Sequence, residues 1–230
     1  MVLLYCAIKK NSLKAIKYFI LEHSKKKGET LFKINNHMHH IAIISSSVRE
    51  KRNSHRVALF FKNYIEENKR ATTEILDLNA YQFPIFNERL RLQSNPSEKT
   101  IEFANKIKAA DGVIIVTPEY NGGYPAALKN VTDLLYDEWY RKPIAISTVS
   151  DGIFGGSQVI TSLQFSLWKI RAWVVPAMFP VPKVQEAFDE NGNASNKEAI
   201  EKRANAFITE LLWCMEANKR MREKQDRSSI

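Results

Sequence analysis

The sequence predicts an α/β protein in which a five-stranded parallel sheet carries helices on both faces. From residue 38 onward, short apolar runs alternate with longer segments whose apolar residues recur at helical spacing. One of the runs, Gly112–Val116, is rich in Val and Ile and contains no charge, which is typical of a strand buried on both faces. It continues directly into a loop rich in proline and glycine, and a helix-like segment follows. Such alternation predicts crossover connections and therefore a parallel sheet.

Five strands and five helices are predicted in chain order. Short runs of apolar and β-branched residues predict strands at 41–44, 73–78, 112–116, 144–149 and 172–175. Amphipathic periodicity predicts helices at 54–69, 97–110, 126–136, 157–171 and 196–217. Connections of this kind are right-handed, and in the common doubly wound order for five strands, 2-1-3-4-5, the winding direction changes between the first and third strands. Because ligands bind at the carboxyl ends of strands at this point, the loops after these two strands form the candidate site.

Composition and charge predict one principal domain that does not bind nucleic acid. Of the 230 residues, 44% are hydrophobic, which suffices for a sizeable core. The net charge of +9 is unevenly distributed, since residues 1–37 carry eight lysines against Glu22 and Glu29. The remaining chain is only mildly basic and has no zinc-type spacing, arginine-rich helix or aromatic RNA-binding motif, so nucleic-acid binding is a weak alternative. No metal site is predicted either, because the histidines near residue 38 lack Cys or carboxylate partners at ligand spacing.

The chain divides into three parts by composition. Residues 1–37 are predicted to be an N-terminal extension, 38–217 the functional domain and 218–230 a charged C-terminal tail. Within the extension, residues 12–27 show an amphipathic helical pattern. A secretory signal is disfavoured because the apolar run 1–8 precedes the charges, whereas a transit peptide and a misassigned start remain alternatives.

Cysteine usage and hydropathy predict a cytoplasmic location. The two cysteines, Cys6 and Cys214, do not form a disulfide framework, which favours a reducing compartment. No stretch approaches the roughly 18 to 20 uninterrupted apolar residues that a membrane-spanning helix needs. We therefore expect a cytoplasmic protein without a membrane span.

The loop after the third strand combines conformationally restricted prolines with conformationally free glycines, and this combination suits a planar ligand. Pro118 fixes one backbone angle, Gly122 and Gly123 allow angles closed to other residues, and Pro125 suits the first turn of the next helix. Backbone N–H groups are thus held in fixed directions, with an aromatic ring and amide or carboxylate side chains at the mouth of the sheet. This arrangement favours a flat, hydrogen-bonding ring over a metal or a bare phosphate.

The same loop resembles a known family. Thr117-Pro118-Glu119-Tyr120-Asn121, followed by residues 124–130, resembles the flavin-contacting segment of the NADPH-dependent FMN reductase family, which includes quinone, azo-dye and chromate reductases. The resemblance extends over residues 38–215 and implies a flavodoxin-like three-layer sandwich. It also implies that main-chain groups from Pro118 to Asn121 contact the isoalloxazine edge. The residues assigned to the flavin from this loop are Thr117, Pro118, Glu119, Tyr120, Asn121 and Gly122.

The loop after the first strand, Ser45–Arg56, is predicted to bind a phosphate. Hydroxyls and guanidinium groups crowd the start of a helix, where free N–H groups and the helix dipole favour an anion. The loop is neither a Walker loop nor a Gly-x-Gly-x-x-Gly fingerprint. It resembles the family's phosphate loop, although Ser46 stands where glycine is usual. The resemblance implies that the FMN phosphate is held by Ser47, Arg49 and Ser54, with Arg52, Asn53 or His55 in reserve, and Arg52 is assigned to the cofactor with them.

Purely structural interpretations of these two loops are alternatives to ligand binding. Ser54 is also a plausible helix N-cap, and the basic residues beside it a solvated face. Tyr120 and Pro125 also suit turn packing, and Glu119 a solvated loop charge.

The loop after the fourth strand, 147–157, is the third candidate contact. Its glycines permit a tight path beside a planar ligand, and the family carries a glycine-rich loop here that borders the flavin ring. Ser150, Gly152 and Gly155 are therefore assigned to the cofactor. A plain strand-to-helix turn is the alternative interpretation.

Together these features predict an FMN-dependent NAD(P)H oxidoreductase. The resemblance implies FMN as cofactor, NADPH or NADH as hydride donor, and a two-electron, ping-pong transfer to a quinone, azo compound, free flavin or similar small acceptor. The flavin supplies most of the chemistry, so no side chain is assigned a catalytic proton-transfer role. A homodimer or homotetramer is expected by analogy with the family. The alternatives are a non-enzymatic flavodoxin-like electron carrier or flavin-binding sensor, and a domain that has lost its flavin.

Overall fold

A computed structural model describes residues 38–228 of the chain. The strands are β1 His40–Ser45, β2 Thr72–Asp77, β3 Gly112–Pro118, β4 Pro143–Val149 and β5 Trp173–Val181. The α-helices are α1 Ser54–Glu67, α2 Leu78–Tyr81, α3 Glu98–Ala109, α4 Ala126–Leu134, α5 Gln158–Lys169, α6 Val184–Ala187 and α7 Lys197–Ser228. Short 3₁₀ helices occur at Leu90–Leu92 and Asp137–Trp139. The predicted extension at 1–37 lies outside the described residues.

The sheet confirms the predicted order and direction. All five strands are parallel in the order β2-β1-β3-β4-β5, so β1 lies between β2 and β3. In this register Ser45, the last residue of β1, lies beside Asp77 of β2 and Val116 of β3. The carboxyl ends of these three strands therefore meet at one edge of the sheet, which brings the predicted loops together.

Apolar layers cover both faces of the sheet. On one face α1 and α7 bury Phe61 and Phe207 against the strands. On the other face α3, α4 and α5 bury Phe103, Leu128 and Leu163. Residues 112–116 are buried throughout because the strand side chains alternate between these two layers. The uninterrupted apolar run seen in the sequence thus reflects a strand covered on both sides.

Two predicted boundaries at the carboxyl-terminal end are wrong. The fifth strand continues to Val181 although it contains Pro176 and Pro180, because β5 is an edge strand and its outer side needs no N–H donor. The last helix does not end at Ala217 but continues to Ser228. Its final turns are rich in good helix formers. Within residues 38–228, no helix combines the length and apolar character needed to cross a membrane.

Candidate functional site

The loop after β1 is anchored to β3 by its serines. Ser45, Ser46 and Ser47 are all buried, and Ser46 donates both its N–H and its hydroxyl to the carbonyl oxygen of Val116, at 3.1 and 2.9 Å. Ser46 replaces the glycine that is usual in the resembling loop, and the structure gives it this anchoring role. The backbone of the loop is therefore held against the end of the third strand.

Arg52 stabilises this loop through an ion pair with the end of β2. Its guanidinium forms a two-pronged pair with the Asp77 carboxylate and donates to the carbonyl oxygen of Ser47 at 3.0 Å. Burial raises the pKa of Asp77, but hydrogen bonds from Arg52 and from the N–H of Asn79 outweigh it, so the net pKa is below the ordinary value. The sequence predicts Arg52 as a cofactor ligand. In the structure its guanidinium binds Asp77 and the Ser47 carbonyl oxygen, and it thereby positions the loop.

The helix that follows begins with unsatisfied polar groups. The N-cap of α1 is Asn53, whose side chain makes no capping bond, and no acidic residue lies in the first turn. Ser54 is the first helical residue and not the N-cap, and its buried hydroxyl has no hydrogen-bond partner within residues 38–228. A buried unpartnered hydroxyl beside free helix N–H groups is what an anion site provides.

His55, held in reserve as a phosphate ligand, faces Ser45. Its Nδ1 lies 3.0 Å from the Ser45 hydroxyl. Burial and the neighbouring Arg52 charge lower the pKa of His55, against a smaller opposing effect of Asp77. A neutral imidazole in this position supports the loop without adding charge.

The second loop forms a tight turn that presents Tyr120. The N–H of Tyr120 donates to Gly123 and the N–H of Gly123 donates to Tyr120, at 2.8 and 3.0 Å. Asn121 and Gly122 lie between them with φ values of 52° and 79°. Positive φ at both central residues is typical of a type I′ turn, for which Asn-Gly is the favoured pair. The Asn-Gly pair therefore determines the direction in which the Tyr120 ring points.

Tyr120 joins the first two loops. Its hydroxyl lies 2.6 Å from the Ser47 hydroxyl, and the Arg49 guanidinium lies 5.6 Å from the centre of its ring. Arg49 is exposed and has no carboxylate within 4.0 Å among residues 38–228. The Arg49 guanidinium is therefore available to an anion at the mouth of the loop.

The remaining residues of the second loop complete its frame. Thr117 is fully buried and its hydroxyl donates to the carbonyl oxygen of Pro118, the last residue of β3. The Glu119 carboxylate accepts from the N–H of Gln158 at 3.2 Å. Because Gln158 is the first residue of α5, this carboxylate lies at the positive end of a helix dipole. Glu119 thus connects the second loop to the third.

The third loop lies over the ends of β4 and β5. The Thr148 hydroxyl donates to the carbonyl oxygen of Gly155 at 2.7 Å, and Ser150 donates to Gly152 at 3.0 Å. A Cβ on Gly155 would lie 3.1 Å from the N atom of Pro182, so this glycine permits a close backbone approach. Gly152 is exposed and meets no such constraint. Ser150 and Gly155 therefore have structural roles independent of a ligand.

An apolar cavity of about 700 Å³ lies between the segment after β2 and α4, and Val48 is the one residue of the three predicted loops that lines it. One wall is the segment 83–87, which Asn130 of α4 holds by accepting from the N–H of Phe86 and donating to the carbonyl oxygen of Pro84 at 2.6 Å. The cavity is lined by Val48, Leu78, Asn79, Gln82, Phe83, Ile85, Phe86, Ala126, Ala127, Lys129, Asn130 and Asp133. This volume lies within the range of small-molecule and cofactor sites.

Sequence reasoning missed two parts of this site. Asp77 was not assigned, although its place at the end of the second strand and the predicted strand order were enough to put it beside the first loop. Asn130 and the segment 83–87 were also missed, because their contact depends on how a loop folds back across a helix. No periodicity signals such a contact.

The fold and the site together define a flavodoxin-like protein built to bind a phosphorylated, planar cofactor. FMN fits the residues present: the acid-free start of α1 with the Ser54 hydroxyl and Arg49 suits its phosphate, and the Ser47–Tyr120 contact brings the second loop, predicted to contact the ring, beside this start. The described residues contain no cluster of three or more potential metal-ligating side chains.

The chain belongs to the NADPH-dependent FMN reductase family, whose model matches residues 39–186. It is 33% identical to the NAD(P)H-dependent FMN reductase LOT6 of Saccharomyces cerevisiae over 148 residues, which cover 59% of this chain and 76% of the yeast protein. It is 34% identical to the NADPH azoreductase of a Bacillus species over 108 residues, covering 45% of this chain and 57% of the relative.

A solved structure confirms the fold. The flavoenzyme NAD(P)H:(acceptor) oxidoreductase from Paracoccus denitrificans superposes with a TM-score of 0.63 at 22% identity, covering 78% of this chain and 98% of that one. At this identity the likeness concerns the fold alone.

Proposed function

We propose that the protein is an FMN-dependent NAD(P)H oxidoreductase that passes two electrons to a small acceptor. The observation that carries this proposal is the buried, unpartnered Ser54 hydroxyl at an acid-free helix N-terminus, located at the switch point of a doubly wound sheet. FMN, when bound, supplies the hydride chemistry. Family membership supports both the cofactor and the NAD(P)H donor.

The residues of the chain bind and orient the cofactor in this proposal. Ser54 and Arg49 hold the phosphate, while Arg52 keeps the loop closed against Asp77. Tyr120, directed by the type I′ turn, closes the space between the two loops. No side chain is assigned a role in proton transfer.

The first test is the absorbance spectrum of the protein loaded with FMN, recorded before and after anaerobic addition of NADPH or NADH. We expect either nicotinamide to bleach the flavin band, and a quinone or azo compound then to restore it. Bound flavin that stays oxidised would favour the alternative, an electron carrier or flavin-binding sensor. Failure to bind FMN would contradict the cofactor assignment.

Replacing Arg49 with Ala is expected to weaken FMN binding by about 1.5 to 3 kcal/mol, which is the range for hydrogen bonds to charged groups. The measurement is the dissociation constant of FMN by fluorescence titration. Lys51→Ala is the matched control, because it removes the same charge from an exposed position of the same loop. Equal FMN affinity in both variants would remove Arg49 from the phosphate site.

We also propose a homodimer or homotetramer and a cytoplasmic location. Phe165 and Trp168 support assembly, since these neighbouring aromatic side chains of α5 are 61% and 64% exposed. Tyr124, which follows the second loop, bonds Ser166 of the same helix at 2.8 Å, so the exposed aromatic pair adjoins the site. Sedimentation equilibrium of the full chain measures the assembly, and a monomer at micromolar concentration would contradict it.

A further inference from the structure

A second cavity lies at the amino-terminal ends of the strands, opposite the candidate flavin site at their carboxyl ends. It has a volume of about 330 Å³ and its walls include Arg141, Arg171, Trp173, Met221 and Arg222. Two of these residues precede β4 and β5, and two lie on α7. Since β4 contains seven residues and a strand rises about 3.3 Å per residue, this cavity is about 20 Å from the candidate flavin site.

The cavity concentrates positive charge without a matching carboxylate. Arg141 and Arg171 are held side by side, because the N–H of Arg141 donates to the carbonyl oxygen of Arg171 at 2.8 Å. The Arg141 guanidinium donates to the neutral Gln225 amide at 3.4 Å. Among residues 38–228, neither Arg171 nor Arg222 has a carboxylate within 4.0 Å.

Lys142, next to Arg141 in the chain, is a buried lysine on which the Arg222 charge also acts. Lys142 is 3% exposed, and its ammonium donates to the carbonyl oxygens of Lys108 and Ala110. Burial and then the Arg222 charge lower the pKa of Lys142 to about 8, against a smaller opposing effect of Asp111. The Asp111 carboxylate itself accepts from the N–H of His40 at 2.9 Å.

Asn218 gives an independent indication of a ligand. Its side chain lines the cavity and is only 8% exposed, yet its amide makes no hydrogen bond within residues 38–228. Its amide nitrogen and oxygen are not fully enclosed, so they reach the open space of the cavity. Both donors and the acceptor of this amide are thus available to a bound molecule. The partly exposed indole of Trp173 and the side chain of Met221 add an apolar wall.

We propose that this cavity is a second ligand site, which binds an organic phosphate carrying a planar ring. Guanidinium groups are the side chains best matched to phosphate oxygens. The Trp173 indole offers a surface for a flat ring, and the Asn218 amide offers polar contacts to its edge. The site belongs to residues outside the flavin-binding loops, so it does not depend on the proposed reductase function.

The test is calorimetric titration of the FMN-loaded protein with ADP and with adenosine. We expect ADP to bind in the submillimolar range and at least ten times more tightly than adenosine, because only ADP carries the phosphates. Arg171→Gln and Arg222→Gln are each expected to weaken ADP binding at least tenfold, which corresponds to about 1.4 kcal/mol. Flavin reduction by NADPH should be unchanged in both variants.

Arg220→Gln is the matched control, since it removes the same charge from the same helix. Arg220 is 74% exposed and paired with Glu216, and it does not line the cavity. Its ADP affinity should stay within twofold of that of the unaltered protein. The proposal is overturned if ADP does not bind, or if Arg171→Gln and Arg222→Gln bind ADP as the control does. The latter result would place ADP in another site, such as the nicotinamide subsite. Arg222 lies on an exposed helix face, so its variant is expected to fold.

Discussion

Replacing Arg52 with Met is expected to lower the free energy of unfolding by about 3 kcal/mol and to weaken FMN binding in the same variant. Arg52 and Asp77 are 14% and 20% exposed, so the substitution leaves a largely buried carboxylate without its partner. Removing one member of a buried ion pair costs about 3 to 5 kcal/mol, and the residual exposure of this pair favours the lower end of that range. The carbonyl oxygen of Ser47 also loses a donor, which releases the phosphate loop.

The loss of stability in this variant should depend on pH. In the unaltered protein the net pKa of Asp77 is lowered, so its stabilising contribution is present above its ordinary pKa of 3.8 and is lost as the pH falls through the lowered value. Without Arg52, burial, the largest effect on Asp77, is opposed only by the Asn79 N–H bond and the His55 charge, so the pKa of Asp77 rises relative to that in the unaltered protein. The variant should therefore lose most stability, relative to the unaltered protein, at neutral pH. This loss in the free energy of unfolding should become smaller as the Asp77 carboxyl group becomes protonated.

Denaturant unfolding of both proteins at pH 7 and at about pH 4 measures this dependence. Arg220→Met is the matched control, because its exposed pair with Glu216 contributes about 0.5 kcal/mol. An equal loss for Arg52→Met at both pH values would show that the effect does not arise from the Asp77 carboxylate.

Replacing Gly192 with Ala is expected to destabilise the fold by about 3 kcal/mol. Gly192 has a φ of 82°, and a Cβ there would lie 2.6 Å from the N atom of Phe60 and 2.8 Å from the carbonyl oxygen of Arg56. Both atoms belong to the backbone of α1, which cannot move aside as a flexible side chain can. The left-handed conformation contributes about 1 kcal/mol of this loss and the overpacking about 2 kcal/mol.

Gly152→Ala is the control for this substitution. A Cβ at Gly152 would find its nearest neighbour, the Ser150 hydroxyl, at 4.0 Å, and the backbone there is not left-handed. Its stability should therefore stay within about 0.5 kcal/mol of that of the unaltered protein. Thermal unfolding of the two variants without added FMN compares them directly. Similar midpoints would mean that the segment around Gly192 does not pack tightly on α1.

Local sequence patterns predicted the elements and the parallel direction of the strands, and the sheet order followed from a common order of doubly wound sheets. The uncharged run 112–116 indicated a strand covered on both faces, and the alternation around it indicated parallel crossovers. Asn121 and Gly122 determined the type I′ turn, because only residues tolerant of positive φ occupy its two central positions. The strand and its crossovers depend on neighbours in sequence and were predicted, whereas for the turn the sequence predicted only that Gly122 and Gly123 allow backbone angles closed to other residues.

Tertiary structure alone decided which polar groups satisfy one another. Arg52 was assigned to the phosphate because a basic residue beside a helix start suits an anion, but its charge is taken by Asp77, 25 positions away. Ser54 was weighed as a cap, and only the three-dimensional contacts leave its hydroxyl unpartnered. The arginine-lined cavity brings Arg141, Arg171 and Arg222 together from separate elements. A periodic pattern reports which face of an element is buried, whereas the pairing of charges depends on distances that only the folded chain determines.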